Sequence, residues 1–197
     1  MTVVLAIAAV ATAWSSYQAT RWNGEQAQAA SRTNAIRIEA ARAASLAEAQ
    51  QEVDVATFIA WVNADRTGEA ELAGVLETRF RPEFRTAFEA WIDTDPFTSP
   101  GSPPTPFAMP EYQVASEEDA ERLDAESEAS AAEVRENIQR ASNYVLTVVM
   151  YAVALFFAGM SNQIHSRRLR RVLIGVAYVA MVAALAWVAT FPVSVAV

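Results

Sequence analysis

The chain has 197 residues, of which 53% are hydrophobic, and a formal net charge of −8, with no lysine, no cysteine and one histidine. Without cysteine, disulfides, thiolate nucleophiles, iron–sulfur clusters and cysteine zinc sites are excluded together, and a single histidine removes the usual catalytic dyads, two-histidine metal sites and haem ligation. All 23 carboxylates lie between Glu25 and Glu136; residues 21–140 also hold eleven arginines and so carry a net charge of −12, which argues against binding nucleic acid.

Residues 1–20 are uncharged, and at 1.5 Å rise per residue their apolar run is just long enough to cross a hydrocarbon core of roughly 30 Å. They read as an uncleaved first transmembrane helix, since a signal peptide would bring a charged start and a small-residue cleavage site. Trp14, Tyr17 and Arg21, three and four apart, share one helical face, and with Trp22 they are expected at the headgroup level.

From Glu25 to about Asp65 the chain is built of strong helix formers without proline, and reads as one long helix. Its larger apolar residues, Ile38, Leu46, Val53, Phe58, Ile59 and Val62, recur at near-helical intervals and predict the stripe that faces a partner helix. Gly24 marks a place where the membrane helix either continues or bends. Thr67 and Gly68 predict a turn, followed by a short helix from Glu69 to about Phe80. A further helix starts with Pro82 in its first turn and carries the aromatic stripe Phe84, Phe88, Trp91 and Ile92.

Residues 94–112 hold six prolines and Gly101, which exclude helix and central strand and favour extended geometry. Two readings follow: a plain connector, or a partner-binding tongue whose Phe97, Phe107 and Tyr112 fill pockets on a neighbour. Ser116, with Asp119 three residues on, predicts an N-cap, after which an apolar stripe from Leu123 to Val145 runs without a break into the second uncharged span, residues 141–164. The third span is residues 172–197. Between them lies the basic loop 165–171 with Arg167, Arg168, Arg170 and Arg171, which the positive-inside tendency places in the cytoplasm. The acidic part 21–140 is then extracytoplasmic, and Trp14, Tyr17, Trp22, Tyr144, Trp187 and Phe191 fall at one interfacial level.

The acidic run from Glu117 to Glu128 lacks the turn glycine and ligand spacing of a calcium loop, and its carboxylates suit helix capping and solvation. No span carries a charge, so no ion or proton pathway is indicated. Phosphate-cradling and nucleophile-elbow glycine motifs are absent. No catalytic, cofactor-binding or metal-ligating residue is therefore assigned, and the chain is not expected to be an enzyme.

At Trp14-Ser15-Ser16-Tyr17-Gln18-Ala19, followed by a polar helical region and two closing spans, the chain resembles bacterial three-pass membrane proteins known only as a domain of unknown function. That resemblance implies a topology and no chemistry. The expected fold is an all-α integral membrane protein of the bacterial cytoplasmic membrane, with three transmembrane helices and an extracytoplasmic helical hairpin or bundle between the first and second. The expected role is a non-catalytic accessory or scaffold subunit of a larger membrane complex, respiratory or photosynthetic, with membrane lipids and other subunits or its own copies as partners. The alternatives are an extracytoplasmic sensor acting through a partner, and a homo-oligomeric channel.

Overall fold

The computed structural model describes residues 2–194. It is all-helical, with no strand among the described residues. Helix α1 runs over Thr2–Thr67, α2 over Ala70–Arg79, α3 over Pro82–Ile92, α4 over Ala115–Ser161 and α5 over Arg167–Val188, with one 3₁₀ turn at Pro106–Ala108. Helix α1 continues through Gly24, where an added Cβ would meet open space. It stops at the predicted turn, where Gly68 takes a φ of +77° that side chains rarely adopt.

Two of these helices, α4 and α5, are long and apolar enough to cross a membrane. The expected basic loop is shorter than the sequence suggests, because Arg167, Arg168, Arg170 and Arg171 form the first turns of α5 itself. Only residues 162–166 connect the two helices. The expected third span also ends early: α5 closes at Val188, four residues before Pro192, whose ring cannot continue a helix. Residues 195–197 of that expected span, and Met1 of the first, lie outside the described residues.

The chain divides into two compact units, Met1–Asn34 with Glu128–Val197, and Ala35–Ser127. In the first, α1 and α4 run in opposite directions, as shown by the contact of Ala8 with Tyr151 and Ala154 in one cluster, of Ala19 and Trp22 with Ala141 and Tyr144 in another, and the 2.8 Å hydrogen bond of Thr33 with Ser130. The buried positions on α1 include Ala8, Ser15, Trp22 and Ala29, seven apart. Those on α4 include Asn137, Tyr144 and Tyr151, also seven apart. A repeat of seven is the seam of helices that coil about each other. Helix α5 joins through Ala177, Met181 and Ala184.

In the second unit α1 buries Ala40, Ala47, Asp54 and Trp61, again seven apart, and the large aliphatics expected to face a partner helix lie on the outside. Ile38 is 55% exposed, Leu46 53%, Val53 51% and Ile59 54%. The physical reason is side-chain size: a small side chain lets two backbones approach closely, so a row of alanines forms the packed face. Of the predicted stripe, Phe58 is buried and Val62 packs against the same core. That core gathers Phe58, Trp61, Phe80, Phe84, Phe88 and Trp91, with ring centroids 4.7 to 6.4 Å apart in mostly edge-to-face pairs. Pro82 occupies the first turn of α3 as expected.

Candidate functional site

The 94–112 segment closes over the aromatic core of its own unit. Trp91 donates its indole N–H to the Pro103 carbonyl at 2.8 Å, and Pro106 is fully buried in the 3₁₀ turn. Phe107 stacks on Phe84 at 5.2 Å and meets Phe58 edge-on at 5.7 Å, and Tyr112 meets Phe107 at 5.1 Å. Phe107 and Tyr112 are thereby packed, half-buried, against the domain's own core. Phe97 differs: it is 48% exposed, meets the rings of Trp91 and Trp61, and lies under the Arg66 guanidinium at 4.6 Å.

Beside this core sits a polar cluster that the sequence reading did not single out. Asp54, fully buried on α1, lies 3.4 Å through Oδ1 from the Nε of Arg81, the residue that leads into α3. Its Oδ2 accepts a 3.2 Å hydrogen bond from the Tyr112 hydroxyl. Arg81 also meets Glu83 at 3.3 Å. Burial pushes the Asp54 carboxyl above the ordinary carboxylate range while Arg81 pulls it back, and burial together with the Asp54 charge pushes the Tyr112 phenol up. Neither the Asp54–Arg81 contact nor the Arg81–Glu83 contact has hydrogen-bond geometry, so the guanidinium nitrogens are held by charge alone. The legible signal is register: Asp54 stands seven residues after Ala47 and seven before Trp61, where a carboxylate must be buried.

The second candidate lies in the other unit. An apolar groove of about 480 Å³ is lined by Ile7, Val10, Ala11 and Trp14 of α1, Tyr151 of α4 and Leu185 and Val188 of α5, among others. Tyr151, which lines it, and Ser15 are fully buried. Towards the end of α5 the chain is strapped down. The buried Gln18 amide donates to the Ser194 carbonyl at 3.4 Å and accepts from the Ser194 N–H at 3.0 Å, while the Tyr144 hydroxyl donates to the Pro192 carbonyl at 3.0 Å.

The residues expected at a membrane interface therefore separate into two groups. Trp14 and Tyr17 are exposed and lie 6.0 Å apart, and Trp187, near the end of α5, meets the half-buried Phe191 at 5.3 Å. Trp22 and Tyr144 are buried together with Ala19 and Ala141. The Arg140 guanidinium lies 4.5 Å above the Trp22 ring. Arg21 is half-buried and meets Glu25 at 3.7 Å. Arg167, Arg168, Arg170 and Arg171 are all exposed and, among the described residues, make no ion pair. No family model, no curated protein and no solved structure matches the chain.

Proposed function

We propose that the chain spans a bacterial cytoplasmic membrane three times, with the start of α1, the end of α4 and α5, and serves as a non-catalytic accessory or scaffold subunit of a larger membrane assembly, respiratory or photosynthetic. The observation that carries this reading is the large apolar surface of the first unit. Val10, Val149, Phe156, Val179 and Val182 are all exposed, while Ala8, Ala154, Ala158, Ala177 and Ala184 pack inside beside Tyr144, Tyr151 and Met181. In water such an arrangement forfeits the burial that stabilises a fold. In hydrocarbon, where apolar burial gives no drive, close backbone packing through small residues is what holds helices together. Only 33% and 17% of the most apolar windows of α4 and α5 are buried, which distinguishes them from core helices of a water-soluble domain.

Two further features support the reading. Four arginines at the start of α5 oppose the helix dipole, each at a cost of about 0.3–1 kcal/mol, and a cytoplasmic address with anionic headgroups nearby offsets that cost. The groove at Val10, Ala11 and Tyr151 offers a neighbouring helix an apolar seat. The likeness in layout to uncharacterised bacterial three-pass proteins belongs to the same reading. Purification of a tagged full chain in a mild detergent tests it: defined membrane proteins should co-purify in fixed ratio, and a photo-crosslinking side chain at Val10 should capture one of them. A lone monomer with no crosslink overturns the subunit role. Extraction of the chain from membranes by alkaline carbonate separately overturns the membrane spans.

A further inference from the structure

In the second unit α1 carries two seven-residue repeats on opposite faces. One is buried, through Ala40, Ala47, Asp54 and Trp61. The other runs through positions 35, 38, 42, 45, 49, 52, 56 and 59, alternately three and four apart, and every one of them is exposed. That alternation is the spacing by which one helix coils against another. Six of the eight are uncharged, among them Ile38, Ala49, Ala56 and Ile59, and the exposed Leu46 and Val53 flank them. The two charged residues, Arg42 and Glu52, are of opposite sign, and neither makes an ion pair among the described residues. A contiguous apolar stripe left open on a helix marks an association surface.

We infer that this face pairs with the same face of a second copy, antiparallel about a two-fold axis level with residue 47, so that Arg42 of each copy lies opposite Glu52 of the other. Charge decides both direction and register. Parallel pairing sets Arg42 against Arg42 and Glu52 against Glu52, and like charges across an interface repel. Among antiparallel registers, a slip of one seven-residue repeat sets Arg42 against Ser45 and Glu52 against Ala35, and a slip the other way sets them against Ile59 and Ala49. Only the register centred on residue 47 gives each charge its counterpart, twice over by symmetry. The same register sets large against small along the seam: Ile38 meets Ala56, and Ile59 meets Ala35. Such alternation lets facing helices interdigitate.

Two effects limit the strength of the pair. Residues 21–140 carry a net charge of −12, so two copies repel, and salt reduces this because exposed charges are screened beyond about 8 Å at physiological ionic strength. Eight positions on one helix are also fewer than the roughly 20–30 residues a side of a standard interface, so the dimer is reversible and concentration-dependent. Copies threaded alike through one membrane, as proposed above, direct α1 the same way, and the antiparallel pair then joins copies in two facing membranes. Detergent micelles lift that restriction. The pairing stands on the second unit alone, so its failure leaves the membrane reading untouched.

The chain has no cysteine, which makes single-cysteine variants clean probes of the register. Full-length Ile38→Cys and Ala56→Cys, carrying tags of different size, should form a mixed disulfide-linked dimer when combined in detergent micelles under copper phenanthroline. Neither should link to itself, because in this register a residue 38 lies about 27 Å along the axis from its own symmetry mate, far beyond the span of a disulfide. Self-linking of either variant, or no link in the mixture, overturns the proposal. Sedimentation equilibrium adds a second measurement on exposed side chains that the fold does not use. Arg42→Glu and Glu52→Arg should each weaken the wild-type dimer by about tenfold, and the two combined should restore most of it. A wild-type chain that stays monomeric, or a double variant that dimerises no better than the single ones, also overturns it.

Discussion

Asp54 and Gln18 show how much one buried polar side chain can decide. Because the folded state raises the Asp54 pKa, it binds that proton more tightly than the unfolded chain does, so this residue's contribution to stability grows as pH falls through the raised value and levels off below the ordinary carboxylate range. Thermal unfolding of the full chain should show the wild type gaining stability relative to Asp54→Asn as the solution is acidified. Gln18 acts through hydrogen bonding instead. Its amide satisfies both backbone groups of Ser194, and Gln18→Ala should leave them unpaired at a cost of about 1–3 kcal/mol, read as a lower Tm. Gln18→Glu, which keeps the acceptor and loses the donor, should recover part of the loss at most.

The elements are governed by side-chain size on the seam, not by hydrophobicity around the helix. On α1 the buried Ala47 and the exposed Leu46 are neighbours in sequence, and the smaller one does the packing. Ala47→Leu should force the seam apart and cost about 1–3 kcal/mol, while Leu46→Ala should change stability by about 0.5 kcal/mol or less. Denaturant unfolding of the two variants, compared side by side, checks the assignment of faces. At the end of α1, Gly68 holds a φ of +77°, and Gly68→Ala should cost about 1 kcal/mol although a Cβ there meets open space. The start of α4 also departs from expectation. The helix begins at Ala115, its first turn closes onto the Val114 carbonyl, and Ser116 spends its hydroxyl on Gln50 and does not cap.

At the scale of the whole molecule, charge is unevenly distributed: 23 carboxylates lie between Glu25 and Glu136, and four arginines that make no ion pair among the described residues stand in the first turns of α5. If the proposed threading holds, those arginines are its address, and replacing all four with glutamate should scramble it. A reporter inserted near Ser127 should then change compartment; one that stays outside the cytoplasm counts against the address. The same polarity makes headgroup contact sensitive to lipid charge, at about 1 kcal/mol per arginine near an anionic surface.

The amino-acid sequence by itself determined the helical character, the apolar runs of α4 and α5, the turn at Gly68 and the break at the proline-rich segment, because each is a local property of propensity, hydropathy or a fixed φ. It also excluded cysteine chemistry outright. What only the tertiary structure decided is which side chains meet. Alanine is compatible with any face of a helix, so its place on the seam depended on a partner far away in sequence, across the same seam that joins Gln50 to Ser116, 66 residues on, and Thr33 to Ser130, 97 residues on. The aromatics of the proline-rich segment carried no sign of whether they would turn inward or outward until α3 supplied the core that Phe107 and Tyr112 complete. Asp54 likewise looks like one more surface acid until Arg81 and Tyr112 are brought to it, since burial of a charge is a property of the packed neighbours and not of the residue.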